Sequence, residues 1–281
     1  MLTTVFGFLR NEFKPFMSTI FQIAGPAILL YLAAMGLYSY TVGDAFSFDI
    51  NDNTGLSMFS GSIMFVSIIA LFITAIAAYV LTEASALYYI KSYVDNKGEI
   101  DIITIKKNVY NSFWSFFGLG ILKGITLGFA LVLCILPFFY AIVPMMVVFS
   151  IYVFERQRGA TDSYSHSFYL INEDFWQSLG VIIVMGLIFY ALNMIINVPA
   201  LIYTYAKMGI FSGEIDPANM NTLVDPIYIF LQVIGSLFQL ILGLIITVTG
   251  VVIYFHLNEN VTSQAHTKRL ILLADILKIN A

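Results

Sequence analysis

Charge is the scarcest property of this sequence. Asp, Glu, Lys and Arg make up 11% of its 281 residues, against roughly 25% in a soluble domain. A chain so poor in charge cannot coat a water-facing surface, which leaves lipid as its main solvent. The net charge of -4 offers no basic field for nucleic acid. Cysteine is nearly absent as well. Cys134 stands alone inside an apolar run, which excludes an internal disulfide and a thiolate cluster and reads as a small buried hydrophobe. His166, His256 and His266 lack His or Cys companions at metal-ligand spacing. No Walker A loop, HExxH or G-x-S-x-G pattern occurs. The sequence therefore predicts neither an enzyme nor a bound metal or cofactor. Arg10, Glu12 and Lys14 sit where a cleavable signal peptide would need a basic start and a short apolar core, so none is expected.

What fills the chain is apolar: 59% of it is hydrophobic and 16% aromatic. Sustained apolar runs occupy 16–42, 60–90, 113–136, 138–154, 178–206 and 226–256. A helix needs about 20 residues to cross the hydrocarbon, and each run but the fourth reaches that length. The third and fourth adjoin near Pro137 and together cover nearly twice one crossing, so a tight hairpin turning near Pro137 is expected. The runs do not alternate, which argues against a closed barrel. The expected fold is an all-α, single-domain bundle of six transmembrane helices over residues 1–281.

Sidedness follows from the basic residues. With six crossings, Arg10, Lys14, Lys91, Lys97, Lys106, Lys107, Arg156, Arg158, Lys268, Arg269 and Lys278 fall on one side. Lys207 falls on the other with Asp44, Asp49, Asp52, Glu214, Asp216 and Asp225. The excess of basic residues marks the cytoplasmic side, so both termini are expected there. Three amphipathic stripes lie on that side: Leu2, Val5, Phe6, Leu9 and Phe13; Ile102, Ile105, Val109 and Phe113, behind Asp101 as N-cap; and Ala160, Tyr164, Phe168, Ile171 and Phe175. Each fits a helix lying in the interface before the chain turns into the membrane. They end alike, at Asn11-Glu12-Phe13-Lys14, Asn111-Ser112-Phe113-Trp114 and Asn172-Glu173-Asp174-Phe175-Trp176. A threefold unit of interfacial helix, span in and span out is one reading; the general enrichment of aromatics at interfaces is the other. Residues 263–281 form a cytoplasmic amphipathic tail, with Leu270, Leu273 and Leu277 beside Lys268, Arg269 and Lys278. It can lie on the leaflet or dock a protein partner.

Glu155, Gly159, Ser167, Phe175 and Trp176 fall, within residues 153–180, in a recognisable order. A span ends at a Glu, a Gly follows, and a short helix leads to Phe-Trp and the next span. This segment resembles a family of bacterial six-helix inner-membrane proteins related to the membrane domain found beside some glycerophosphodiester phosphodiesterases. Ser163, Tyr164 and His166 depart from the Ala, Leu and Arg usual there. The resemblance implies a bacterial cytoplasmic (inner) membrane. It brings no enzymatic activity, because the soluble catalytic domain has no counterpart in this sequence.

Ionisable groups inside spans are the default candidates for function. Glu83 and Lys123 lie at similar depth, roughly 10–15 Å inside the cytoplasmic end at about 1.5 Å per residue. They can pair, snorkel separately or line a path. Asn193 and Asn197 share a face of the fifth span, and Gln232 and Gln239 a face of the sixth. Bonds between helices are the commoner use of such groups. Gly120, Gly124 and Gly128 form a small-residue stripe, as do Ser236, Gln239, Gly243, Thr247 and Gly250. Such stripes let helix backbones approach closely. Glu155, Asp162, Glu173 and Asp174, interspersed with Arg156 and Arg158, read as a solvated face. The functional expectation is a non-catalytic scaffold or accessory subunit whose partners are membrane lipids, other membrane proteins or further copies of itself. The alternative is a small-solute or lipid transporter with Glu83 and Lys123 lining the path.

Overall fold

The computed structural model describes residues 1–46, 56–155, 158–172, 174–207 and 225–279, and their side chains apart from 42–46, 56–61 and 260–279. Among the described residues every element is helical: α1 (Leu2–Phe46), α2 (Leu56–Asp95), α3 (Ile102–Asn111), α4 (Phe113–Leu133), α5 (Ile135–Phe154), α6 (Ala160–Leu170), α7 (Phe175–Lys207) and α8 (Pro226–Ile279). Six of these, all but α3 and α6, are long and apolar enough to cross a membrane. Helices satisfy their backbone groups internally, which hydrocarbon demands. Asp44, Asp49, Asp52, Arg156, Glu173, Glu214, Asp216 and the charged and leucine residues of the 263–281 tail lie outside the described side chains.

The chain forms two compact units. The first comprises Met1–Phe16, Ala86–Gly186 and Ile245–Ala281; the second comprises Met17–Ser85 and Leu187–Leu244. In the first, α5 is the central helix. Half of its most apolar window is buried inside the chain, against 17–22% for the other five long helices. Val143, Val147 and Ile151 of α5 pack with Leu170 and Ile171, with Leu179 and Ile182 of α7, and with Ile253 and Leu257 of α8. The ring of Phe149 stacks on Phe116 of α4 with centroids 5.2 Å apart. In the second unit, Thr41 of α1 and Ser67 of α2 share a buried hydrogen bond of 2.9 Å. Gly36 admits Val233 to within 3.7 Å of its Cβ position. Lys207 and Asp225 form an ion pair of 2.6 Å where α8 begins, and Tyr203 donates to the same carboxylate. The bond from Lys207, then that from Tyr203, holds the Asp225 carboxyl below the usual carboxylate range.

Several expectations need correction. The expected α4–α5 hairpin is present, but its turn is at Cys134, three residues before Pro137, which occupies the first turn of α5, where proline's missing N–H costs nothing. Cys134 is exposed at that turn and not buried. No separate helix precedes the first span, since α1 runs unbroken from Leu2. Its inward positions are Val5, Phe8, Glu12 and Phe16. Phe8 and Phe16 meet edge to face, Phe16 meets Tyr89, and the Tyr89 hydroxyl donates to Glu12. Phe6 and Phe13 of the expected stripe point outward. Asp101 does cap α3, accepting from the Ile103 and Thr104 N–H groups and the Thr104 hydroxyl. Those bonds, the hydroxyl's first, lower its pKa. The buried residues of α3, Ile105 and Val109, belong to the expected stripe. On α6 the fully buried positions are Ser163 and Ser167, small enough to bring α6 against α5. Tyr164 and Phe168 reach the Thr126 hydroxyl and the Tyr140 ring instead.

Candidate functional site: a mixed-charge cleft

The first unit gathers charge where α2, α5 and α6 end or begin. The last turn of α5 leaves its C-terminal carbonyls without helical partners. The Lys91 ammonium donates to one of them, at Val153, where a cation also suits the helix dipole. One residue on, Glu155 ends the helix, and its carboxylate is flanked on both sides. Arg158 donates to one oxygen through Nε, while His166 Nε2 lies 3.5 Å from the other. The chain turns back through Arg158, whose N–H bonds the Glu155 carbonyl, and Gly159 opens α6 in an extended conformation.

These groups line a cleft of about 960 Å³ with Asp95, Asp162 and Ser165. A second cleft of about 670 Å³ shares Lys91, Asp95 and Arg158 with it and extends to Ser92, Asp101 and Asn108. Beside Asn96 of that lining the chain reverses after α2, where Lys97 and Gly98 take φ of 53° and 102°. Gly98 suits that conformation because it has no Cβ. His166 feels opposing influences. Burial pulls its pKa below the ordinary value, Glu155 pushes it up, and Arg158 pulls it down. The first cleft thus presents the Lys91 and Arg158 cations among the Asp95, Glu155 and Asp162 carboxylates, with the His166 ring in its wall. Such a lining suits polar groups carrying both signs of charge.

The residues singled out in the sequence lie elsewhere. Glu83 belongs to the second unit and is half-buried on α2. Lys123 belongs to the first, with its ammonium 5.2 Å from the centroid of the Phe149 ring. The Asn197 side chain donates to the Asn193 carbonyl and side-chain oxygens at 2.8 and 3.0 Å, so this pair bonds within α7 and not between helices. Gln232 donates to the Tyr228 hydroxyl one turn away. Ser236 donates to the Gln232 carbonyl, and Gln239 is half-buried. Among the glycines of the two stripes, Gly250 stands apart. No described atom of another helix lies within 4 Å of a Cβ built at Gly120, Gly124, Gly128 or Gly243, whereas one at Gly250 meets the Met146 carbonyl oxygen at 2.6 Å.

Glu155, Arg158 and Asp162 of the expected solvated face line the cleft, and Asp162 is exposed. In the sequence Lys91 figures only among the basic residues that set sidedness, and Asp95 not at all. Their i, i+4 spacing at the end of an apolar run was the available signal. The partner of His166, Glu155, is eleven positions away on another element, which metal-ligand spacing along the sequence does not reveal. No protein-family model, no curated protein and no solved structure matches this chain.

Proposed function

We propose that this chain is a multi-pass protein of a bacterial inner membrane with both termini in the cytoplasm. It acts without covalent chemistry, as a scaffold or accessory subunit that packs with lipid and with partner membrane proteins. One observation carries this reading: five of the six long helices bury no more than 22% of their most apolar window inside the chain. Helices that hide so little against their own chain present most of their apolar surface to lipid or to another protein. The α4 glycines, with open space at each Cβ position, let a neighbouring backbone come close. The mixed-charge cleft offers complementary contacts to polar groups at the membrane edge.

A transport role is favoured by a different observation, that Glu83 and Lys123 are both only half-buried part-way along apolar helices, where charge is expensive. The test is the full chain in lipid vesicles, with phosphodiester hydrolysis, solute uptake and lipid scrambling assayed side by side. The association reading expects all three to match empty vesicles. Hydrolysis abolished by His166→Ala or Glu155→Gln would overturn it. Uptake or scrambling that disappears on Glu83→Gln or Lys123→Met would move the function to transport.

A further inference from the structure

α6 does not lie apart from α5. It runs back along α5 so far that Phe168, near the end of α6, meets the ring of Tyr140 at 6.4 Å, and Phe175, the first residue of α7, meets it at 5.6 Å. Tyr164 of α6 shares a 2.8 Å hydrogen bond with Thr126 of α4. Tyr140 stands near the start of α5, about 20 Å from Phe154 at roughly 1.5 Å per residue. The Phe154 end of α5 and its Tyr140 turn, five residues in from the start, are therefore both flanked by polar, interfacial sequence. At the Phe154 end these are Lys91, Glu155 and Arg158. At the Tyr140 end they are Asn172 and Asp174, one to three residues before Phe175, and Trp176, which is 80% exposed.

If α5 crossed the bilayer, α6 would retrace most of that crossing. Asp162, Ser165 and His166 would then descend into hydrocarbon, and Asn172 and Asp174 would arrive near its far side. Charged and amide groups avoid that depth, and Trp collects at the interface. The Phe154 end and the Tyr140 turn are both satisfied when they lie at the same interface, with the first turn of α5 reaching inward from it. The hairpin tip supplies the complement. Phe129, Leu131, Val132, Leu133, Ile135 and Leu136 are all at least 59% exposed, an apolar prow with no polar side chain among them.

We infer that the α4–α5 hairpin does not cross the membrane but is re-entrant, its Phe129–Leu136 tip inserted among the acyl chains of a single leaflet while α5 and α6 lie near the headgroups. The partner of this surface is the hydrocarbon of one leaflet. Four helices, α1, α2, α7 and α8, then make the crossings. The even number keeps both termini on one side, so sidedness does not depend on the hairpin. The leaflet is the cytoplasmic one, a choice that rests on the orientation proposed above.

The native chain carries its own probe, since Cys134 is its one cysteine and is exposed at the tip. A membrane-impermeant maleimide is applied to right-side-out and to inverted vesicles containing the full chain, with Asn96→Cys in a Cys134→Ser background as the reference for the cytoplasmic face. The re-entrant hairpin leaves Cys134 unlabelled from either side until detergent is added. A nitroxide on Cys134 is then relaxed at least several-fold more by oxygen than by a water-soluble nickel chelate. Labelling from the outer side in intact vesicles would show a full double crossing and overturn the inference. Labelling from the inner side would show a hairpin that never enters the lipid, which overturns it equally. Should Asn96→Cys label from the outside, the proposed orientation fails while the Cys134 result still decides the hairpin.

Discussion

Gly250 of α8 lies so close to α5 that a Cβ there would stand 2.6 Å from the Met146 carbonyl oxygen. That oxygen belongs to helix backbone and cannot swing aside as a flexible side chain would. Gly250→Ala is therefore expected to destabilise the protein by about 1–3 kcal/mol, the usual range for overpacking a tight core. Gly243→Ala, on the same helix with open space at its Cβ position, should be neutral or slightly stabilising. Unfolding of both variants in detergent, followed by circular dichroism, makes the comparison. Equal stability would show that α8 and α5 do not pack this closely.

Ser163 and Ser167 are fully buried on α6, and among the described residues their hydroxyls bond only locally, to the Gly159 and Tyr164 carbonyls. Their importance is their size. Ser163→Ala should change stability by less than about 1 kcal/mol, because it removes one local hydrogen bond. Ser163→Leu should cost more, about 1–3 kcal/mol, by forcing α6 off α5. A leucine as well tolerated as alanine would mean that α6 is loosely held.

The class of fold was legible because lipid imposes long apolar helices, and the runs around Phe16–Val42 and Pro226–His256 needed no partner to be recognised. Asp101 was legible for a similar reason, since an N-cap is local chemistry. What escaped was contact between elements distant in sequence. Hydropathy marked Phe6 and Phe13 as an apolar stripe, but Tyr89 and Tyr93 select Phe8, Glu12 and Phe16 as the packed face. Pro137 drew the turn toward itself, although a proline in the first helical turn is compatible with a helix starting at Ile135. The cleft escaped because its charges come from three segments, and only the fold brings Lys91 beside Val153.

Orientation is tested directly by reporter fusions. Fusions at Asp52 and Asn219 should report the outside, and fusions at Asn96 and after Ala281 the inside, following the excess of basic residues on the cytoplasmic side. A C-terminus reported outside would remove the basis for placing Lys91, Lys97, Lys106 and Lys107 in the cytoplasm.

Lys123 and Phe149 should prove energetically coupled. An ammonium within about 6 Å of a ring centroid gains roughly 0.5–2 kcal/mol when partly desolvated, and the observed separation is 5.2 Å. In a double-mutant cycle, Lys123→Met combined with Phe149→Leu should cost less than the sum of the single changes. Adding Glu83→Gln to the same cycle tests the pairing suggested by their similar depth. Strict additivity of Lys123 with Phe149 would mean that the ammonium reaches the interface instead.

His166 should titrate below the ordinary histidine value despite its proximity to a carboxylate. Burial is the leading influence and disfavours the charged ring, while Glu155 opposes it and Arg158 reinforces it. The cleft also places Lys91, Asp95 and Asp162 around the ring. With the folded pKa depressed, the unfolded chain binds more protons in the window between the folded value and about 6.5. Stability therefore rises with pH across that window. Acidification through 6.5 should cost stability until the folded ring is itself protonated, and below that point the loss stays constant. His166→Gln should abolish this contribution. Glu155→Gln removes an upward influence and should lower the His166 pKa further, whereas Arg158→Gln should raise it. An NMR titration of labelled histidines, with His166 assigned by its loss in the glutamine variant, reads all three shifts. A wild-type value above 6.5 would show that the Glu155 carboxylate, and not burial, governs the ring.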